Sequence, residues 1–317
     1  MVTGLALWTL GLLAAVAVLL DRLLGEPPRW HPLVGFGRVA SWLERRLNQG
    51  SDRRRRLAGG AGVGLLVFGP AALVGVALLH LPLWVALSGH VALLVFSVGA
   101  CSLHQHLRPI AQALQRDDLA VARGLTARIV SRDTDQSDAS ELAKAAVESA
   151  LENGNDAVFG ALFWFAVAGG PVALAFRLAN TLDAMWGYRS TRFLHFGWAA
   201  ARFDDLLNWL PARLTATSYA LLGRTRRAWR CWQRQAPRWD SPNAGPVMAA
   251  GAGALGLALG RGARYDGQWE VRPPLGQGRA AQAGDIARAL QLVDRTVLLW
   301  LLVLNLAGAA VYAVGLA

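Results

Sequence analysis

Charged residues are scarce in this chain of 317 residues, of which 17% are Asp, Glu, Lys or Arg and 54% are hydrophobic. A soluble domain of this size normally has about 25% charged residues. The sequence also contains apolar runs close to the roughly 20 residues that a membrane-spanning helix needs. Together these features exclude a purely soluble globular protein and predict an integral membrane protein.

Lysine and cysteine are nearly absent. Lys144 is the only lysine, so arginine supplies almost all of the positive charge behind the net charge of +11. In an apolar chain, a net positive charge indicates an anionic lipid bilayer as the partner rather than nucleic acid. The two cysteines, Cys101 and Cys231, have no metal-ligand spacing and do not indicate a disulfide.

Several common catalytic motifs are also missing. The sequence has no Gly-rich loop ending in Gly-Lys-Ser/Thr, no Gly-x-Ser-x-Gly elbow and no His-Glu-x-x-His helix. P-loop nucleotide binding, α/β-hydrolase chemistry and zincin chemistry are therefore excluded. Any phosphate group that this protein handles would have to be bound by arginine, by helix N-termini and by a metal ion held by carboxylates.

Four segments are long and apolar enough to cross a bilayer. The first lacks the basic start and the cleavage site of a signal peptide, so we expect it to stay as an anchor. The second and third are separated only by the turn His80–Pro82, which predicts a helical hairpin. The predicted transmembrane helices are residues 2–20, 57–79, 83–103 and 297–316.

Arginine-rich polar segments lie between these helices. The run Arg53–Arg56 is typical of a lipid-headgroup anchor at a membrane edge. Because positive residues stay on the cytoplasmic side, we expect this region to be inside and the His80–Pro82 turn to be outside. The sequence thus predicts a multi-pass membrane protein whose arginine-rich segments face the cytoplasm. The predicted cytoplasmic segments are residues 21–56, 104–156, 187–245 and 261–296.

Two other apolar segments are interrupted or short. The run Gly169-Gly170-Pro171 breaks the segment 157–179 at its centre. Two half-helices would form a re-entrant hairpin, and a single kinked crossing is the alternative. Residues 247–259 are Gly/Ala-rich and suit a second re-entrant element or close helix packing. The predicted fold is all-α: a polytopic helical membrane protein with about four full transmembrane helices, broken or re-entrant half-helices and cytoplasmic helical segments.

A polar helix is predicted directly before the broken segment. Asp138, or Ser137 before it, can cap the free backbone amides of a helix that begins near Ser140. Asn153 and Asp156 are expected to close this helix just before the apolar segment begins. The sequence therefore predicts that the helix presents its polar residues at the membrane edge.

This helix carries an acidic stripe. Glu141, Glu148 and Glu152 follow one another at spacings of seven and four, which places them on one helix face. Three carboxylates repel one another unless a cation lies among them, and oxygen ligands without sulfur or imidazole favour Mg²⁺. A magnesium site and a solvated helix face are the two interpretations that the sequence leaves open.

Two further clusters combine carboxylates with amides. Asn180 and Asp183 are spaced i, i+3 directly after the broken apolar segment, where an ionisable residue is costly and points to function. Asp204 and Asn208 are spaced i, i+4. In the same stretch Arg202 and Asp205, at i, i+3, suit an ion pair. Structural salt bridges alone would explain each pair separately, but not the grouping of all of them around one broken segment.

The order of these motifs resembles the adenosylcobinamide-phosphate synthase family of cobalamin biosynthesis, a family of polytopic inner-membrane proteins. The resemblance covers roughly residues 20–280, and its most specific blocks are those at 180–188 and 201–213. The matching segments are Leu24-Gly25-Glu26-Pro27, His31-Pro32-Leu33-Val34-Gly35, Ser131-Arg132-Asp133-Thr134, Val147-Glu148-Ser149, Glu152-Asn153, Asp156, Asn180–Tyr188, Ala201–Arg213, Asn243-Ala244-Gly245 and Tyr265-Asp266-Gly267.

The resemblance implies an ATP-dependent ligase that joins adenosylcobyric acid to aminopropanol phosphate, or a related amino alcohol, through an acyl phosphate. ATP is the co-substrate and Mg²⁺ the cofactor, and other membrane or late-pathway cobalamin enzymes are possible partners. The candidate residues are Asp183, Asn180, Asp204 and Asn208 for catalysis, Arg132, Asp133, Asn153, Arg202, Arg213 and Asn243 for substrate or phosphate binding, and Glu148, Glu152, Asp156 and Asp205 for the metal.

Two other functions remain open at this point. One is a non-catalytic polytopic signalling or scaffold protein related to the sensor branch of cell-wall recycling. The other is a small-molecule transporter, a class in which broken helices are common. Carboxylates beside amides argue against the scaffold, and the large polar segments with paired acids argue against the transporter.

Overall fold

The computed structural model describes residues 5–25 and 32–315. Most of these residues are helical, which confirms the all-α expectation, and a small three-stranded sheet is added to it. Glu26, Pro27 and His31, which belong to the resemblance, lie outside the described residues. The helices are α1 Leu7–Leu24, α2 Pro32–Leu47, α3 Asp52–Val63, α4 Gly69–Leu79, α5 Leu83–Ser97, α6 Ala100–Gln115, α7 Leu119–Thr126, α8 Ala139–Asn153, α9 Gly160–Trp186, α10 Trp198–Leu222, α11 Thr225–Gln235, α12 Ala244–Leu255 and α13 Ala283–Ala313.

Five helical stretches of the described chain are long and apolar enough to cross a membrane. Four of them contain the predicted crossings except for the outermost residues. Residues 5–6 and 314–315 are described but lie outside the helices, and residues 2–4 and 316 lie outside the described part of the chain. The fifth contains the broken segment 157–179. The stretches are Leu7–Leu24, Asp52–Leu79, Leu83–Gln115, Ala139–Trp186 and Ala283–Ala313.

The chain divides into two compact units. The first consists of Met1–Gly99, Gly160–Asn208 and Leu301–Ala317, as far as these ranges are described, and the second of Ala100–Phe159 and Trp209–Trp300. In the first unit, Trp186 and Phe196 are almost fully buried, with ring centroids 5.0 Å apart. Leu73 and Leu79 on α4 are 72% and 74% exposed, as is expected of side chains that face lipid.

The predicted break in the apolar segment is present. Ala168 and Gly169 have non-helical backbone angles, and Gly169 has φ +71° and ψ −166°, a conformation that is essentially restricted to glycine. The backbone amide of Gly170 donates a hydrogen bond to His90 Nδ1 on α5 at 2.9 Å. His90, which the sequence analysis did not select, therefore satisfies a backbone group that the break releases. The choice between a re-entrant hairpin and a kinked crossing stays open.

The start of α8 is as predicted, but the helical path does not stop where it was expected to. Asp138 and Glu141 form a complete capping box at its N-terminus. The α-helix ends at Asn153, as expected. The expectation that Asp156 closes the helix is wrong, because a π-helical segment, Gly154–Phe159, continues the chain into α9. Asn155 is buried in this segment and accepts a hydrogen bond from Thr215 Oγ1 at 3.0 Å, so its polar side chain is satisfied without ending the helix.

The sheet was not predicted, because the sequence analysis expected an all-α fold with a short apolar element at 247–259 and a cytoplasmic polar segment at 261–296. Strand β1, Leu257–Tyr265, pairs antiparallel with β2, Gln268–Gly276, and parallel with the short β3, Arg279–Ala280. The segment 247–259 is therefore not one apolar element: its first part belongs to the fully buried helix α12 and its last three residues start β1. The burial of α12 agrees with the close-packing alternative.

Candidate functional site

In the first unit, one carboxylate is held by two amides. Asp204 on α10 is only 9% exposed. Its oxygens accept hydrogen bonds from Asn180 Nδ2 at 3.4 Å and from Asn208 Nδ2 at 3.0 Å. The i, i+4 pairing of Asp204 with Asn208 is thus confirmed, and the clusters that follow α9 and begin α10 meet in space. Amide donors stabilise the ionised form of a carboxylate.

A second pair of carboxylates lies in the same unit. Asp183 on α9 is half-buried, and within the described part of the chain its carboxylate receives no hydrogen bond or ion pair. It lies close enough to Asp205 for electrostatic repulsion. Asp205 forms the expected ion pair with Arg202, at 3.8 Å. Burial raises the pKa of the Asp205 carboxyl above its ordinary value, against the lowering effect of Arg202 and Arg189.

In the second unit, Glu148 is the centre of a buried ion-pair network. Only 2% of this residue is exposed. Arg132 donates a hydrogen bond to its Oε2, and Arg272 approaches the same oxygen at 3.7 Å. The backbone amide of Gly260 donates to Oε1 at 2.7 Å. Both oxygens therefore already have donors, and the burial of Glu148 excludes a solvated face at this position of α8.

The bulge in β1 explains how a backbone amide reaches Glu148. The β1–β2 register shifts between Gly260 and Gly262, and Gly260 has φ +70°. A Cβ atom at Gly260 would lie 2.3 Å from the carbonyl oxygen of Pro273, so only glycine fits here. The sequence analysis missed Arg272 and this bulge because it did not predict the hairpin. The sequence feature that could have predicted the hairpin is the Asp266-Gly267 pair, a typical two-residue hairpin turn.

The other residues of the acidic helix are engaged locally. Glu152 is half-buried and lies within electrostatic reach of Glu148 and Arg272. Asn153 Nδ2 donates to the Ser149 carbonyl oxygen at 3.0 Å, one turn earlier in α8. Asp156 accepts a hydrogen bond from its neighbour Asn155 at 2.9 Å. The structure thus brings Glu152 near Glu148, while these hydrogen bonds of Asn153 and Asp156 are to neighbours in their own helical segment.

Arg213 and Asn243, both predicted to bind phosphate, bind each other. Arg213 Nη1 donates to Asn243 Oδ1 at 2.7 Å, and Nη2 donates to the Pro242 carbonyl oxygen at 3.1 Å. The guanidinium also lies 4.6 Å from the centroid of the Trp209 ring. Burial lowers the pKa of Arg213. These contacts fasten α10 to the loop before α12, and phosphate binding by the pair stays a prediction.

A cavity of about 350 Å³ opens in the second unit between the start of α8 and the β1–β2 hairpin. Asp133 fixes one side of it: its amide donates to the Arg264 carbonyl oxygen at 2.8 Å, and its Oδ2 accepts from the Gly267 amide at 2.7 Å. Of the predicted residues, Arg132 and Asp133 line this cavity. Lys144 and Arg264 also line it, and the sequence analysis did not assign either of them to a site.

Magnesium binding stays a prediction. The described residues contain no group of three or more His, Cys, Asp or Glu side chains that could hold a metal ion. Glu148, with arginine and amide donors on its oxygens, fits an ion pair better than a metal ligand. Asp205 fits better, since a second carboxylate, Asp183, is near it, and Mg²⁺ often uses one or two protein carboxylates and completes its shell with phosphate oxygens.

The long apolar helices, the broken helix α9 and the buried polar clusters define a multi-pass helical membrane protein. The family model described as CobD/Cbib protein matches residues 14–293. The chain therefore belongs to the CobD/Cbib family, as the resemblance indicated.

Relatives match over nearly the whole length. The chain is 58% identical over 290 residues to a protein of Chromobacterium violaceum, covering 90% of this chain and 92% of the relative. It is 58% identical over 294 residues to one of Stutzerimonas stutzeri, covering 92% and 96%. It is 43% identical over 306 residues to one of Mycobacterium tuberculosis, covering 94% and 93%. Each of the three is named cobalamin biosynthesis protein CobD. No solved structure matches the chain significantly.

Proposed function

We propose that this protein is the cobalamin-biosynthesis ligase that forms adenosylcobinamide phosphate. It joins a carboxyl group of adenosylcobyric acid to the amine of aminopropanol phosphate, or of a related amino alcohol, at the expense of ATP. Membership of the CobD/Cbib family supports a role in cobalamin biosynthesis. The observation that carries the proposal is the meeting of Asn180, Asp204 and Asn208, which two separate sequence blocks contribute to one hydrogen-bonded cluster.

The chemistry follows from the poor reactivity of a free carboxylate toward an amine. In the proposed reaction a carboxylate oxygen of the corrinoid attacks the γ-phosphorus of ATP, and ADP leaves. The amine nitrogen then attacks the acyl carbon of the acyl phosphate, and inorganic phosphate leaves with the electrons of the broken C–O bond. The substrate's ammonium group first gives one proton to a base and so becomes the nucleophilic amine. A second proton leaves the nitrogen as the amide forms and is taken up by the departing phosphate.

The residues of the first unit suit this chemistry. Asp183 is the candidate base, because its half-buried carboxylate has no hydrogen-bond donor within the described residues. Asn180, Asp204 and Asn208 form a preorganised polar cluster that can orient a substrate. Asp205 is the residue that best fits Mg²⁺, which when bound neutralises phosphate charge. Arg202 is available to phosphate oxygens, since its side chain is 65% exposed.

The membrane-spanning helices agree with the proposed function. Five helical stretches of the described chain are able to cross a bilayer. The arginine-rich polar segments favour the cytoplasmic side of a bacterial inner membrane, where ATP is present. We therefore propose a cytoplasmic active face.

The direct test uses purified membranes that contain this protein, incubated with adenosylcobyric acid, ATP, Mg²⁺ and aminopropanol phosphate. The proposal expects a corrinoid whose mass equals the sum of both substrates minus one water, together with ADP and phosphate. Membranes lacking the protein are the control. If no condensed corrinoid forms from active, folded protein with any amino alcohol phosphate offered, the ligase assignment fails.

A further inference from the structure

The cavity between α8 and the β-hairpin contains an incompletely bonded ammonium group. Lys144 is half-buried, and its Nζ donates one hydrogen bond, to the Gly262 carbonyl oxygen at 3.0 Å. An ammonium group has three donors. Within the described chain, the two other protons of Nζ have no hydrogen-bond partner. A partly buried cation with free donors is a suitable contact for an anionic ligand.

The charges around Lys144 are balanced rather than uniformly positive. The cationic and acidic side chains that line the cavity are Arg132, Lys144 and Arg264 on one hand and Asp133, Asp135 and Glu141 on the other. A triphosphate carries several negative charges and would meet three carboxylates here. A small zwitterion, with one phosphate and one ammonium, would find partners for both ends.

The size of the cavity agrees with a small ligand. About 350 Å³ is at the lower end of the range for ligand pockets and is too small to enclose a corrinoid. The walls are also held in place: Asp133 is bonded to the hairpin at two points, and Glu141 belongs to the capping box of α8. A preformed pocket lowers the entropic cost of binding a flexible ligand.

We propose that this cavity binds the amino alcohol phosphate as a zwitterion. Its phosphate lies on Lys144, Arg132 and Arg264, and its ammonium group on Glu141 and Asp133, so the cavity holds the substrate before its amine gives up a proton to the candidate base Asp183 of the first unit. This assignment rests on the proposed ligase function for the identity of the ligand. It selects the amine substrate, rather than the nucleotide, as the occupant of the second unit's cavity.

The single lysine of the chain allows a direct binding test on the full-length protein in detergent. An amine-reactive acylating reagent modifies Lys144, and the peptide that contains it is quantified by mass spectrometry. We expect aminopropanol phosphate to slow this modification about tenfold or more at saturation. Aminopropanol without phosphate consumes the same reagent and is the matched control. ATP without Mg²⁺ or corrinoid is the competing ligand, and equal protection by ATP, or none by aminopropanol phosphate, would overturn the assignment.

Steady-state kinetics give the second test. Lys144→Met and Arg264→Gln should each raise the KM for aminopropanol phosphate by about tenfold, the effect of one lost charge-assisted hydrogen bond, and change the KM for ATP by less than about twofold. Lys144→Arg should restore most of the affinity, which a merely structural defect would not allow. Arg226→Gln and Glu270→Gln, on exposed side chains outside the cavity, are the controls.

The two proposals fail in different ways. If the wild-type protein forms the amide and the cavity variants keep their KM for the amine, the cavity assignment is wrong and the ligase function stands. If the wild-type protein forms no amide, the ligase function is wrong. In that case, protection of Lys144 by aminopropanol phosphate would still show that the cavity binds this zwitterion.

Discussion

Glu148 shows how burial changes the meaning of a conspicuous acidic residue. Its side chain is 3% exposed, and its charge is balanced by Arg132 and Arg272. Removing one partner of a buried ion pair leaves the other charge uncompensated, at a typical cost of 3–5 kcal/mol. The contacts of Glu148 therefore indicate a structural role, which differs from the metal-binding role that its spacing suggested.

Glu148→Gln should lower the free energy of unfolding by about 3 kcal/mol, because two arginines lose their counter-charge. The measurement is denaturant unfolding in detergent with and without Mg²⁺. Glu270→Gln, on an exposed residue of β2, is the control and should unfold like the wild type. Unchanged stability of Glu148→Gln combined with a higher Mg²⁺ requirement for activity would instead support the metal-ligand prediction.

The pKa of Asp205 has a consequence for stability. Because burial raises this pKa in the folded protein, folding favours the protonated carboxyl. The contribution of Asp205 to the free energy of unfolding is therefore largest at a pH below the ordinary aspartate pKa. It is lost as the pH rises through the raised pKa of the folded protein. Asp205→Asn should therefore match the wild type in acid and become relatively more stable with increasing pH. Unfolding measured across this pH range tests it, with Asp240→Asn on an exposed residue as the control.

Helical spacing predicted contacts within a helix, but not those between distant residues. The pairs Asp204–Asn208 and Arg202–Asp205 follow from i, i+4 and i, i+3 geometry. The contact between Asn180 and Asp204 depends on how α9 and α10 pack, which no local pattern contains. The sequence therefore identified most residues of the first unit's cluster. It did not show that Asp204, rather than Asp183, is the carboxylate bonded to the amides.

At the scale of elements, the local signals that succeeded are those with a strict backbone requirement. The break at Gly169 follows from a Gly-Gly-Pro run, and the start of α8 follows from the N-cap residue Asp138. The signals that failed are weak propensities. The run Asn153-Gly154-Asn155-Asp156 at the end of α8 favours a helix end. Instead, the chain continues as a π-helical segment, in which Asn155 accepts a buried hydrogen bond from Thr215. Tertiary contacts overrode the propensity there.

The broken helix gives a prediction at the same scale. Gly169→Ala places a Cβ atom on a residue with φ +71° and ψ −166°, which should destabilise the protein by about 1–3 kcal/mol. Gly69→Ala is the matched control, because Gly69 has helical angles and a Cβ atom added there meets no other atom within 4 Å. The thermal unfolding midpoint in detergent should fall for Gly169→Ala only. Equal midpoints would mean that the break tolerates other residues.

At the scale of the whole molecule, the two units divide the polar chemistry between them. The first contains the amide-bound Asp204 and the half-buried Asp183, and the second contains the Glu148 network and the balanced cavity beside Lys144. A scaffold would not require a buried carboxylate–amide cluster and a lined cavity in addition to its membrane helices. The fold is thus better suited to an enzyme that must hold several substrates than to a passive membrane anchor.

Complementation, together with a counterflow assay, distinguishes the enzyme from the transporter and the scaffold. A cobalamin auxotroph blocked at amide formation should grow on cobyric acid when it expresses this chain. Expression of Asp183→Asn at the same membrane level should reduce growth strongly, because the proposed base is lost, while Glu270→Gln should grow like the wild type. A transporter would instead give counterflow of labelled cobyric acid in sealed vesicles without forming a condensed corrinoid. Full growth with Asp183→Asn would remove Asp183 from the catalytic set, and no growth with the wild-type chain would contradict the ligase function itself.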